Sequence, residues 1–172
     1  MDLQDWKRPR NITMGALLAA ITVMIQLSPL YLPLAGVSLS ALATLPAALA
    51  GYLSVATGIL TFLISATLVC CWSVPQAVIF LCSSGLLGLT LGIMLKKRLH
   101  YLIIACSGAL VLTCGFLAVG KLLGIPVLPW LAGPKRYFLI PALFLCSFVY
   151  SVIWVPVLKT LFVRIEKHTA LY

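Results

Sequence analysis

Nine residues carry side chains suited to holding a small molecule rather than transforming one: Gln26, Tyr31, Trp72, Gln76, Lys121, Trp130, Lys135, Arg136 and Tyr137. Lys121, Lys135 and Arg136 have no acidic neighbour in the chain, whose only carboxylates are Asp2, Asp5 and Glu166. An anionic ligand group would relieve their mutual repulsion and gain charge-assisted hydrogen bonds, most strongly from the planar fork of the arginine. The competing reading of each cation taken singly is a long side chain that reaches lipid phosphate. Trp72 or Trp130 would cover the apolar part of such a ligand, and Trp130 suits an anchor at a membrane interface equally well.

Groups that make and break bonds are missing. His100 and His168 lie beside basic clusters, and no Ser or Cys has a base within reach on the same face. There is no H-E-x-x-H, no P-loop and no Gly-rich nucleotide fingerprint. The cysteines, Cys70, Cys71, Cys82, Cys106, Cys114 and Cys146, fall inside apolar stretches without a CxxC pair or a histidine at ligand spacing. They read as small apolar packing residues, with Cys70 and Cys71 the pair most open to oxidation. No catalytic residue, metal ligand or cofactor is therefore expected. Proton- and sodium-coupled carriers rely on carboxylates inside the membrane, and no acid falls in an apolar run here. A chain that moves solute against a gradient must then draw energy from another subunit.

The elements that position these residues follow from composition. Of the 172 residues, 63% are hydrophobic and 9% charged, against about 25% charged in soluble domains. The net charge of +9 sits in clusters that flank apolar runs, a pattern of membrane orientation and not of nucleic-acid binding. Lys7-Arg8-Arg10, Lys96-Lys97-Arg98 and the tail with Lys159, Arg164 and Lys167 are the three strong clusters. If all three are cytoplasmic, each interval holds an even number of spans of roughly 20 residues. Breaks at Ser28-Pro29 to Gly36, Ala50-Gly51-Tyr52, Trp72 to Pro75 and Gly124 to Pro134 predict helices at 11–28, 37–50, 52–72, 76–95, 100–121 and 136–158.

The expected fold is thus an all-α membrane protein. It is a single integral-membrane domain over residues 1–172, a bundle of six transmembrane helices with cytoplasmic N and C termini in a bacterial inner membrane. The second helix carries Pro46 and is expected to tilt, kink or re-enter. The N-terminal run resembles a signal peptide but lacks an A-x-A-like cleavage site, so it is assigned to the bundle. The segment Leu122–Lys135 is the one outer connection long enough to cover a site, and Trp6 and Trp154 sit at inner-interface depth.

Helix association in lipid depends on small residues and interhelical hydrogen bonds. Three stripes qualify: Gly15, Ala16, Ala19 and Ala20; Ser54, Thr57, Gly58, Thr61 and Ser65; and Ser84, Gly88 and Gly92. The last two read as internal seams, whereas the first suits either a bundle neighbour or another membrane protein.

With its length, its basic N-terminus and the opening Met14-Gly15-Ala16-Leu17-Leu18-Ala19-Ala20, the chain resembles the substrate-binding S components of energy-coupling-factor (ECF) transporters. The stretch Pro75-Gln76-Ala77-Val78-Ile79-Phe80 through Gly85-Leu86-Leu87-Gly88-Leu89 is similar to that family's fourth helix. The resemblance implies a subunit that captures a vitamin or related micronutrient. It also implies that the A-x-x-x-A pair Ala16 and Ala20 meets a transmembrane (T) subunit and, through it, ATP-binding subunits. No substrate-diagnostic motif for biotin, thiamine or riboflavin is present. The alternative is a non-transporting scaffold subunit of an envelope or cell-shape assembly, which would use the same seams and bind no small molecule. A passive channel would require a polar stripe along the full depth of the bundle, which the sequence lacks.

Overall fold

The computed structural model describes residues 9–32, 34–97, 99–123 and 139–169. Among them the chain forms eight helices: α1 (Pro9–Tyr31), α2 (Ala35–Ala41), α3 (Thr44–Leu53), α4 (Val55–Trp72), α5 (Val74–Cys82), α6 (Ser84–Lys96), α7 (Tyr101–Leu123) and α8 (Leu139–Thr169). α2 with α3 and α5 with α6 each make one interrupted span, so six helical stretches are long and apolar enough to cross a membrane. There is no strand among the described residues. Large apolar side chains face outward, among them Leu145 at 64% and Ile153 at 59% exposure. Lipid tolerates such a surface and water does not.

The interruptions have local causes. Proline lacks an N–H, and its ring would crowd the carbonyl four residues earlier. For Pro46 that carbonyl belongs to Leu42, and the helix stops there: the chain turns at Leu42 and Ala43, and α3 restarts with Pro46 in its first turn. The kink expected for the second span therefore falls one turn before the proline. Ser73 is extended, with φ −158°, and α5 begins with Pro75 near its N-terminus, where a missing N–H matters least.

The break expected at Ala50-Gly51-Tyr52 lies instead at Ser54, which is extended at φ −159°. Gly51 is held inside α3 for a different purpose: a Cβ on Gly58 of α4 would lie 2.7 Å from the Gly51 Cα. Two backbones meet there, and both glycines serve the approach. The interruption at Ser83, between α5 and α6, was not expected. Its hydroxyl donates to the Ile79 carbonyl, and a Cβ on Gly115 of α7 would run into the Cys82 carbonyl oxygen. Ser-Ser-Gly at the break gives the helix a place to bend, and α7 fills the bend.

The predicted seams are internal. Thr61 Oγ1 donates to the Gly15 carbonyl at 3.2 Å and Ser65 Oγ to the Ala19 carbonyl at 3.4 Å, which fastens α4 to α1. Gly88 and Gly92 of α6 face the α3 backbone at Thr44 and Ala48. The main core joins α3, α6, α7 and α8 around Leu87, Leu91, Ile104, Val155 and Leu158. Trp154 belongs to that core at 9% exposure and is not the interfacial belt residue expected; Trp6 lies outside the described residues. The tail with Lys159 and Arg164 is helical, because α8 continues to Thr169.

Candidate functional site

α1 delivers Gln26 to the bundle interior, where it is 1% exposed. A buried primary amide has up to four hydrogen bonds to satisfy, and two are made here across long sequence separations. Gln26 Nε2 donates to Gln76 Oε1 of α5 at 3.4 Å, and Ser84 Oγ of α6 donates to Gln26 Oε1 at 3.1 Å. The interruption at Ser83 sets Gln76 and Ser84 on either side of the same amide. Ser28 Oγ bonds the Ile25 carbonyl at 2.7 Å and the Gly36 carbonyl at 3.0 Å, so the end of α1 is tied to the start of α2.

Gln26 opens onto a cavity of about 370 Å³ between α1, α2, the α5–α6 junction, α7 and α8. Ser40, Ser83, Ser84, Ser147 and Tyr150 supply its polar lining, and Val37, Ile79, Leu87, Leu112 and Phe116 supply apolar surface. Its described lining carries no charged side chain. Tyr150 OH donates to the Ala41 carbonyl at 3.5 Å, the long limit of a hydrogen bond, where α2 turns toward α3.

One lining group stands apart. Ser147 is 1% exposed and its hydroxyl has no hydrogen-bond partner among the described residues. A hydroxyl in an apolar helix ordinarily returns its proton to the carbonyl one turn back, as Thr90 does to Leu86 at 3.0 Å and Thr113 to Ala109 at 2.7 Å. An unsatisfied buried hydroxyl costs about 1–3 kcal/mol, which a polar ligand atom would recover. Ser151, one turn along α8, also has no partner among the described residues. It packs close to Gly108, where an added Cβ would lie 2.9 Å from its Oγ, and it does not line the cavity.

The residues expected to bind a ligand thus divide into three groups. Gln26 and Gln76 are joined by a hydrogen bond. Tyr31 and Trp72 are 71% and 67% exposed, Lys121 is exposed, and none of the three lines the cavity. Trp130, Lys135, Arg136 and Tyr137 lie outside the described residues. Ser40, Ser83, Ser147 and Tyr150 were not singled out in the sequence, and Ser84 was read only as a seam residue. A readable trace existed in Ser147, Tyr150 and Ser151, a polar group at helical spacing in an otherwise apolar span.

The α1 stripe divides as well. Gly15 and Ala19 are buried against α4, whereas Ala16 and Ala20 are exposed. Exposed Ile12, Leu17, Ile21 and Met24 surround the two alanines, so the outward side of α1 is an apolar surface with two small residues one turn apart. No group of three or more His, Cys, Asp or Glu among the described residues could hold a metal ion. No family model, curated protein or solved structure matches this chain.

Proposed function

We propose that this chain is the substrate-capture subunit of an ECF-type importer in a bacterial cytoplasmic membrane, binding a small micronutrient such as a vitamin or precursor. The observation that carries the reading is the cavity beside Gln26 with the unpartnered Ser147 hydroxyl in its wall. A purely structural bundle gains nothing from an open volume of this size lined by an incompletely satisfied polar group. The uncharged lining suits the body of the ligand, and Lys135 and Arg136 would meet its anionic or zwitterionic group. Ala16 and Ala20 would meet the T subunit, and ATP-binding subunits would act through it.

Small molecules retained by the purified protein and identified by mass spectrometry test this reading. Ser147→Ala removes a hydroxyl that bonds no described residue, so stability without ligand should hold or rise. Ligand affinity should fall by about 0.5–1.5 kcal/mol, the net worth of one neutral hydrogen bond. Arg136→Gln should weaken binding by about 1.5–3 kcal/mol, the range for a charged partner. A protein that retains no small molecule while holding a stoichiometric membrane partner would be the scaffold of an envelope or cell-shape assembly instead.

The orientation is tested separately in a cysteine-free background. Cysteine at Lys97, on the cytoplasmic side of this reading, should resist an impermeant thiol reagent in intact cells, and cysteine at Val74, at the other end of the bundle, should react. Both side chains are exposed, so the reversed pattern would invert the topology.

A further inference from the structure

A second cavity lies at the opposite end of the bundle, and the proposed ligand site does not use it. Ser84 and Lys96 bound α6, and the rise per helical residue puts the two ends about 18 Å apart. The second cavity measures about 320 Å³ and is walled by Leu95 of α6, Ile104 of α7, and Val155 and Phe162 of α8. Tyr52 of α3 stacks on Phe162 with ring centroids 4.2 Å apart. Leu99 and Val163 lie on its border at 39% and 43% exposure, so apolar side chains reach from it to the protein surface.

Its polar boundary is cationic. Lys159 lines it and is exposed. Tyr101 also lines it, but its hydroxyl donates to the Val152 carbonyl at 2.9 Å. Lys96 Nζ donates to the Leu53 carbonyl at 2.8 Å, next to Tyr52. Lys97 and Arg164 are exposed at the same end. No Asp or Glu occurs among the residues whose side chains are described, so this end offers these cations no described counter-ion.

We propose that this cavity seats one acyl chain of an anionic phospholipid whose phosphate is held by the Lys159 ammonium. An apolar wall ending in a cation matches a lipid at its boundary between chain and headgroup, and basic pockets between helices at an interface bind acidic headgroups. A soluble anion would leave the apolar wall exposed, and a zwitterionic lipid brings its own cation against Lys159. The inference stands apart from the ligand reading above, because it uses neither Gln26 nor Ser147.

Native mass spectrometry of the full chain, released from micelles carrying dioleoylphosphatidylglycerol or dioleoylphosphatidylcholine, tests it. The wild type should retain the phosphatidylglycerol preferentially. Lys159→Gln should lower that retention roughly five- to tenfold, the effect of one interfacial cation, and leave phosphatidylcholine unchanged. Lys159→Arg should restore it, and Lys97→Gln should lower it much less. Equal retention of the two lipids would overturn the proposal. So would a Lys97→Gln loss matching that of Lys159→Gln, which would indicate a diffuse surface potential. Displacement of phosphatidylglycerol by inorganic phosphate would also overturn it, because the site would then hold a bare anion.

Discussion

Gly92→Val is expected to unfold the bundle in detergent at a denaturant concentration where the wild type is fully native. A Cβ at Gly92 would run into the Ala48 carbonyl oxygen, and one at Gly88 would lie 2.8 Å from the Ala47 Cβ. Neither obstacle is a side chain that can change rotamer. Ala48 and Ala50 are 0% exposed and Ala47 is 3%, so α3 has no room to retreat, and α6 is held on its other side by Leu87 and Leu91 at 0%. Overpacking costs about 1–3 kcal/mol where neighbours can adjust; with backbone on the other side, the loss should be about 3 kcal/mol or more. Circular dichroism through a sodium dodecyl sulfate titration in mixed micelles would measure it. Cys106→Val, exposed on α7, should shift the midpoint little. A Gly92→Val midpoint equal to that of Cys106→Val would mean that α3 and α6 are not in close contact.

The second large effect separates two alanines three residues apart. Ala19 is 1% exposed, and its carbonyl accepts from Ser65. Ala19→Trp must therefore push α1 off α4 and destabilise the bundle itself. Ala16 is exposed, so Ala16→Trp should leave the detergent unfolding midpoint within about 0.5 kcal/mol of wild type, as surface substitutions usually do. The same variant should abolish co-purification of a transmembrane partner, because an indole on a small-residue surface blocks close helix approach. Ala20→Trp should behave as Ala16→Trp does. If Ala16→Trp keeps the partner and unfolds the protein, the exposed face belongs to the bundle after all. If it changes neither property, partners bind elsewhere.

Much of the span pattern was legible because its causes lie close in the chain. Long apolar runs, the Ser73–Pro75 break and the basic cluster at Lys96 and Lys97 each act over a few residues, and Pro46 announced an irregular second span. Errors arose where one residue type serves two purposes. Gly51 looked like a helix breaker and proved to be a contact point for Gly58, whereas Ser84 looked like the first residue of a packing stripe with Gly88 and Gly92 and proved to open a new helix after the break at Ser83. Trp154 sits at an interfacial position along the chain, but its rotation about the α8 axis turns it into the core.

The candidate site was less legible, for a different reason. Gln26 and Gln76 were recognisable as polar groups in apolar surroundings, but the bond between them spans 50 positions and depends on how α1 and α5 pack. Ser147 left only the trace of its spacing with Tyr150 and Ser151 and no sign of an unmet hydrogen bond, because a hydroxyl in an apolar helix normally satisfies itself locally, as that of Thr113 does.

By itself the amino-acid sequence determined that the described residues form six helical stretches long and apolar enough to cross a membrane. Lipid offers backbone groups no hydrogen-bond partner, so an apolar run of sufficient length must satisfy itself as a helix wherever it sits in the bundle. Tertiary structure alone decided which side of each helix faces inward, that Gly15 and Ala19 turn to α4 while Ala16 and Ala20 turn outward, and that Gln26, Ser84 and Ser147 border one cavity. Those outcomes depend on two surfaces fitting at once, and the complement to each small-residue stripe is carried by a helix elsewhere in the chain.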